Sequence, residues 1–281
     1  MISLVGQTLS SWRLEGLIAE GGMGRVYRAV HTGDGRQGAL KLLAYDYDDE
    51  NDALSRFFHE ARAMATILSP HLVTIFEYVR EGPYAAYVME YLEGEDLGRL
   101  LVRERQVAPG RAVRIAMQVC DGMQAVHEGG VVHRDLKPEN VFLIRGATSP
   151  DHVKILDFGI AKYFQSVGHH TARGAMVGSP WYMSPEQAKG LAQVDGRSDL
   201  YSLGVILYEM LSGQVPFEGQ KNSEVAKKHI HDTPPPLGGD YGAGEVPGEL
   251  ARIVLRCLAK EPADRFETMT VLCEALSPYN R

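Results

Sequence analysis

His133-Arg134-Asp135-Leu136-Lys137-Pro138-Glu139-Asn140, with Asp157-Phe158-Gly159 further along, sets a carboxylate, a lysine, a carboxamide and a second carboxylate in the order that phosphoryl transfer requires. A nucleotide's terminal phosphoryl group carries concentrated negative charge. Moving it takes divalent metal held by oxygen ligands, a cation near the phosphate oxygens, and a group that orients the incoming hydroxyl. Asp135 is the candidate base or hydroxyl orienter, because a carboxylate within hydrogen-bond reach of a hydroxyl aligns it and receives its proton. Lys137 is the cation. Asn140 and Asp157 supply hard oxygens of the kind Mg²⁺ prefers. The strand-like runs Val141–Ile144 and Val153–Leu156 flank these ligands and give them a rigid footing.

Working outward toward the N-terminus, Ile18-Ala19-Glu20-Gly21-Gly22-Met23-Gly24-Arg25-Val26 places small residues where a β-turn brings backbone N–H groups against phosphate oxygens, since a side chain there would hold an anion away. Taken alone, the stretch reads equally well as an ordinary hairpin turn. Beyond it, Lys41 stands inside the apolar run Ala39–Leu43. Between Asp52 and Leu68, apolar Leu54, Phe57, Phe58, Ala61, Met64 and Leu68 recur at three- and four-residue intervals, which predicts a helix with one apolar face.

The run His133–Asn140 resembles the catalytic loop of the eukaryotic-type (Hanks-type) protein kinases, and its Lys137 is the variant associated with serine/threonine substrates. The other stretches resemble further motifs of that family in the family's order. Ile18–Val26 is similar to the glycine-rich loop, with Ala19 where the first glycine normally lies. Alanine tolerates that place if φ is negative, so the expected consequence is a stiffer loop. Ala39-Leu40-Lys41 is similar to the lysine-bearing strand. The resemblance implies that Glu60 pairs with Lys41, which grips the α- and β-phosphates of ATP. Val88-Met89-Glu90-Tyr91-Leu92 resembles the strand end and hinge, which implies adenine contacts from the backbone of Glu90 and Leu92, with Met89 as gatekeeper. His133 is expected to pack the catalytic loop from within and to take no part in proton transfer.

Gly159 to Glu186 is similar to an activation segment ending at Ser184-Pro185-Glu186. Arg134 beside Asp135 is the kind of cation that, in this family, goes with a phosphorylated loop as counter-anion. Arg56 and Lys162 are expected to join it. Thr171 is the first candidate acceptor and Ser166 the second, both of which also read as solvated loop hydroxyls. Ser179 is expected to bond the catalytic aspartate and lysine, Glu186 to pair with Arg265, and Asp199 to order the catalytic-loop backbone. Gly-Gly-Met-Gly-Arg-Val-Tyr (21–27) together with Tyr-Met-Ser-Pro-Glu-Gln (182–187) is most similar to bacterial members of the family.

The chain has 281 residues, 44% of them hydrophobic and 23% charged, enough for one large domain or two modest ones. With 29 basic against 36 acidic side chains the net charge is −7, which argues against nonspecific attraction to nucleic acid. Cys120, Cys257 and Cys273 form no CxxC pair, and read as buried thiols in a reducing cytosol. Met1–Ser11 lacks the pattern of a signal peptide. Leu200–Leu211 is far shorter than the roughly 20 residues that cross a bilayer and reads as a core helix. The stretch from Pro234 to Gly244 reads as one exposed loop.

Short β-like runs dominate from Trp12 to about Leu92. Helical stripes follow: Ala112, Ile115, Ala116, Val119, Met123 and Val126, then Leu200–Leu211, then Leu250–Leu258. The expected fold is α+β, the bilobal protein kinase fold. A small antiparallel β-sheet N-lobe with one helix (residues 12–92) precedes a larger, mainly helical C-lobe (93–276) in one domain spanning 1–276, and 277–281 forms a tail. The resemblance implies a serine/threonine protein kinase that uses ATP and Mg²⁺, or Mn²⁺ in its place, and phosphorylates its own activation loop as well as other proteins. Expected partners are protein substrates and a second copy through the N-lobe, with neither nucleic acid nor a membrane segment. The expected setting is the cytoplasm, either alone or as the cytosolic part of a longer membrane protein. A nucleotide-binding pseudokinase scaffold is the alternative, and a small-molecule phosphotransferase a third reading.

Overall fold

Trp12 and Leu14 turn inward while Arg13 between them stays exposed, the period-two pattern of a strand with one wet face. The computed structural model describes residues 4–21, 24–43, 66–145, 151–156, 180–191, 194–240 and 245–280. They fall into two compact units, 1–68 with 73–93 and 69–72 with 94–281.

The first unit is a six-stranded antiparallel sheet in the order β1-β2-β3-β4-β6-β5. Its strands are β1 (Thr8–Leu9), β2 (Trp12–Gly21), β3 (Gly24–His31), β4 (Gln37–Leu43), β5 (Ile75–Glu81) and β6 (Tyr84–Glu90). The inner face gathers Leu4, Leu9, Trp12, Leu14, Tyr27, Leu40, Val79 and Val88 into one core. Burying aliphatic and aromatic side chains of this kind stabilises by about 1.5–3 kcal/mol each.

Sequence reading began this lobe at Trp12, yet Leu4 and Leu9 belong to its core. The Ser10 hydroxyl donates to Glu77 Oε1 at 2.8 Å and Trp12 Nε1 donates to Glu77 Oε2 at 2.9 Å, tying the segment to β5. Strand β6 ends at Glu90, two residues short of the expected Leu92. Of the helix expected over 52–68, residues 52–65 lie outside the described ones. Leu68, assigned to its apolar face, is in coil and 87% exposed.

The second unit is mainly helical. Its α-helices among the described residues are α1 (Leu97–Glu104), α2 (Pro109–Glu128), α3 (Pro185–Ala188), α4 (Arg197–Ser212), α5 (Asn222–His231), α6 (Gly248–Cys257) and α7 (Met269–Leu276). Strands β7 (Gly94–Asp96), β8 (Val141–Ile144) and β9 (His152–Ile155) form a small antiparallel sheet beside them. The stripe Ala112 to Val126 is the buried face of α2, and α4 is buried almost all round. Gly204 lets α4 and α6 close up, because a Cβ there would lie 2.5 Å from Cβ of Cys257.

Residues 69–72 belong to this unit. Ile155 N–H donates to His71 O at 2.8 Å, and the buried Lys154 ammonium donates to Leu72 O at 2.9 Å. The loop expected over 234–244 includes strand β10 (Gly239–Asp240), which pairs antiparallel with β11 (Glu245–Val246) just beyond it. Ser277–Tyr279 continues α7 as a 3₁₀ turn where a tail was expected. Cys120 and Cys257 are buried, but Cys273 is half-buried on α7. No helix among the described residues is long and apolar enough to cross a membrane.

Candidate active site

The first unit carries the residues expected to grip a nucleotide. In the β2–β3 hairpin Gly21 faces Gly24, Glu20 faces Arg25 and Ala19 faces Val26. Gly22 and Met23 at its tip lie outside the described residues. Gly24 has φ +129°, a conformation L side chains rarely adopt, so glycine is required there. Ala19 is not among the residues with positive φ, which meets the condition set for alanine at that place. Two guanidinium nitrogens of Arg25 each lie 2.8 Å from Glu20 Oε1, pinning the strands below the tip. Ile18, beside them, is 46% exposed.

Lys41 lies on β4 between Val26 of β3 and Tyr87 of β6, is buried, and holds its ammonium 6.0 Å from the Tyr87 ring centre. Its expected partner Glu60 lies outside the described residues. Glu90 ends β6 and is clamped to Thr74, whose N–H donates to Glu90 Oε1 at 2.8 Å while Thr74 O accepts from Glu90 N–H at 2.9 Å. Met89 is buried, and Leu92 follows in coil, half-buried.

The second unit carries the catalytic-loop residues. Lys137 Nζ is 3.9 Å from Asp135 Oδ2, and Asn140 Nδ2 donates to the backbone carbonyl of Asp135 at 2.8 Å. That bond fixes the amide, so Oδ1 is the Asn140 atom suited to a hard cation. Asp135 N–H donates to His133 Nδ1 at 3.2 Å, which puts the ring proton on Nε2, facing Leu156 O at 3.3 Å. The imidazole therefore braces the loop from within, as expected. Leu156 N–H donates to Asn140 O at 2.8 Å and so fastens the residue before Asp157 to the loop. Asp157 itself lies outside the described residues.

Asp199, at the start of α4 and fully buried, organises the backbone of this loop. Its Oδ2 accepts from His133 N–H at 2.9 Å and faces His127 Nε2 at 2.8 Å, and its Oδ1 accepts from Arg134 N–H at 2.9 Å. Arg134 has φ +62°, uncommon for a residue with a side chain. The conformation is held from both sides, because Gln187 Nε2 donates to Arg134 O at 2.8 Å. Gln187 also closes a capping box with Ser184 at the start of α3, so one amide serves both helix and loop.

Below the segment that ends in α3, Arg265 meets Glu186 through two bonds of 2.7 and 2.9 Å, the expected pair. Burial pushes the Glu186 carboxyl upward, but the Arg265 and Ser198 hydrogen bonds outweigh it and hold it below the usual range. The Tyr182 hydroxyl donates to Glu209 Oε2 at 2.8 Å. Burial raises the Glu209 carboxyl, the Tyr182 bond opposes the shift, and the charge of Glu139 adds to it. Ser202 Oγ donates to Tyr182 O at 2.7 Å, so both ends of Tyr182 are tied to α4.

The structure thus gathers Asp135, Lys137 and Asn140 on one braced loop, and Lys41, Glu90 and the glycine hairpin on one sheet. Thr171, Ser166, Ser179, Arg56 and Lys162 lie outside the described residues. His127 and Gln187 escaped the sequence reading. Their partners Asp199 and Arg134 lie 72 and 53 residues away along the chain, which no local spacing signals.

The protein kinase domain profile matches residues 12–276. The chain is 40% identical over 266 residues to the serine/threonine-protein kinase pkn3 of Myxococcus xanthus, covering 93% of this chain and 48% of that protein. It is 40% identical over 273 residues to Pkn1 of the same organism, covering 97% and 39%. The chain therefore spans less than half the length of these curated relatives. Among solved structures, the kinase domain of Mycobacterium tuberculosis PknI superposes with a TM-score of 0.72 at 23% identity, covering 99% of this chain and 100% of that one, which shows a common fold.

Proposed function

Because the chain belongs to the protein kinase domain family, we propose that it is an ATP-dependent serine/threonine protein kinase, with its lobes at 12–92 and 93–276 of a single domain. The observation that carries this reading is the cluster on the catalytic loop: Asp135 carboxylate, Lys137 ammonium at 3.9 Å, and an Asn140 amide bonded to the Asp135 carbonyl. MgATP, or MnATP, supplies when bound the electrophilic phosphorus and the cation that neutralises its oxygens. Asp135 orients the acceptor hydroxyl and takes its proton at Oδ. Lys137 offsets charge developing on the transferred group. Asn140 Oδ1 and Asp157 hold the metal. The backbone of Ile18–Val26 cradles the phosphates, Lys41 paired to Glu60 aligns them, and the backbone of Glu90 and Leu92 receives the adenine edge.

The test is transfer of radiolabelled phosphate from ATP in Mg²⁺ by the protein and by its Asp157→Asn variant. Label is expected in the first alone, and equal incorporation by both removes the enzyme claim in favour of a pseudokinase scaffold. Ala19, which departs from the family's glycine-rich loop and is the one mild point for the scaffold, pairs with Val26 next to a register shift between Leu17 and Ala19. We propose further that Thr171 is the activating autophosphorylation site and Ser166 a secondary one. Thr171→Ala should then lower activity more than Ser166→Ala, and the reverse order would show the wrong acceptor was chosen. Lys137-Pro138 and the segment before Glu186 favour protein substrates, and a cytoplasmic setting belongs to the same proposal. Pairing through the N-lobe belongs to the same proposal, and sedimentation over a concentration series checks it: a monomer throughout rejects it.

A further inference from the structure

His229, on α5, is fully buried, and its Nε2 makes no hydrogen bond. A buried polar atom left unpaired costs about 1–3 kcal/mol, so its persistence calls for a physical reason. The rest of the ring is well accounted for. Tyr201 Oη lies 2.9 Å from Nδ1, Phe217 meets the ring edge-on at 4.9 Å, and Lys260 Nζ donates to the His229 carbonyl at 2.8 Å. The carbonyls of Trp181 and Pro180 stand close enough to favour the protonated ring, while burial, then the charge of Lys260, push its pKa down to about 4 and keep it neutral. With the Tyr201 hydroxyl donating to Nδ1, the proton sits on Nε2 and faces acceptors. The opposite tautomer would set a lone pair against them.

Among the described residues, hydrogen bonds anchor the turn Pro180–Tyr182 at its far end, where Tyr182 is held by Glu209 and Ser202. Trp181 in its middle is 39% exposed. We propose that His229 is a positioning residue for the acceptor peptide: its Nε2–H closes onto the Pro180–Trp181 carbonyls when a substrate seats on this turn. The inference rests on the kinase reading, which makes residues 180–183 part of the peptide platform. Forming the bond only in the occupied state puts its free energy into peptide binding. Chemistry at Asp135 and ATP affinity are left alone.

The test compares wild type, His229→Phe and His229→Gln, using the best acceptor from a degenerate serine/threonine peptide library. Phe keeps the aromatic bulk without a donor, and Gln restores a donor at the far end. His229→Phe should raise KM for the peptide about fivefold, the worth of one hydrogen bond. Its kcat and its KM for ATP should stay near wild type, and His229→Gln should recover most of the loss. Unchanged peptide KM in His229→Phe, or loss confined to kcat, overturns the proposal while leaving the kinase reading intact. A wild type that phosphorylates nothing in the library overturns both. Should His229→Phe fail to fold, imidazole ¹⁵N spectra of wild type decide. The Nε2 proton should move downfield on adding the peptide, and an unmoved resonance rejects the role.

Discussion

Lys41 sits on a strand whose backbone pairs on both sides, with β3 and with β6, whereas Asp135 sits on a loop held by the side chains of Asp199, His133 and Asn140. A β-ladder bonds main chain to main chain and is nearly indifferent to which side chain each residue carries. A loop outside any strand has no such ladder, and its buried amides must find named acceptors. In this molecule the lysine is therefore held by topology and the aspartate by a polar network. Substitutions of the lysine, or of the aspartate whose bonds run through its backbone, should remove chemistry at little cost in stability, whereas substitutions of the side chains that hold the loop should cost stability directly.

The largest expected effect removes chemistry while leaving the network in place. Asp135→Asn should slow phosphate transfer about 10²–10⁴-fold, with the urea midpoint little changed, because the bonds from His133 and Asn140 go to Asp135 backbone atoms. A variant with near-normal transfer would deny Asp135 its role.

Next is the support itself. Asp199→Ala leaves the buried His133 N–H, the part-buried Arg134 N–H and His127 without their acceptor, for a loss of about 2–5 kcal/mol in urea unfolding. Lys41→Met, within a ladder, should cost less than about 1 kcal/mol while also abolishing transfer. Equal losses in the two variants would break the contrast between network and ladder.

A third expectation concerns pH. His229 has a folded pKa of about 4 against 6.5 in the open chain, so the unfolded state binds the proton first. Stability contributed by the neutral ring is complete above pH 6.5, falls as pH drops toward 4, and levels off below. The span is on the order of 3 kcal/mol. Chemical denaturation at pH 7 and pH 4.5 should show a drop that is clearly smaller in His229→Gln, and parallel curves would place the imidazole in a wetter setting. The smallest effect tests the sheet alone. Ala19→Gly should cost about 0.5–1 kcal/mol through added chain entropy, and a stabilised variant would mean that alanine is strained there.

Legibility divides along the same line. The stripe from Ala112 to Val126 was readable because a helix face repeats every three to four residues, and the strands of the sheet because apolar positions alternate. Leu68 misled because its spacing continued an apolar pattern into a stretch that is coil at this residue. Thr8–Leu9 escaped because two residues carry no period; pairing with β2 places them, and of the two it is Leu9 that enters the core. The candidate catalytic loop was legible for the opposite reason to the helices, since its residue types follow no packing period, and the fold brings Asp135, Lys137 and Asn140 together on it.

From the amino-acid order alone came the chemistry: a carboxylate, an ammonium and an amide spaced within one short loop, because groups that act on the same few atoms must lie close along a constrained backbone. The folded chain decided who holds that loop. Asp199 reaches His133 from 66 residues away and His127 from 72, and Arg265 reaches Glu186 from 79. Convergence over such separations depends on how helices pack, which no local spacing encodes. The same packing left Nε2 of His229 buried without a partner.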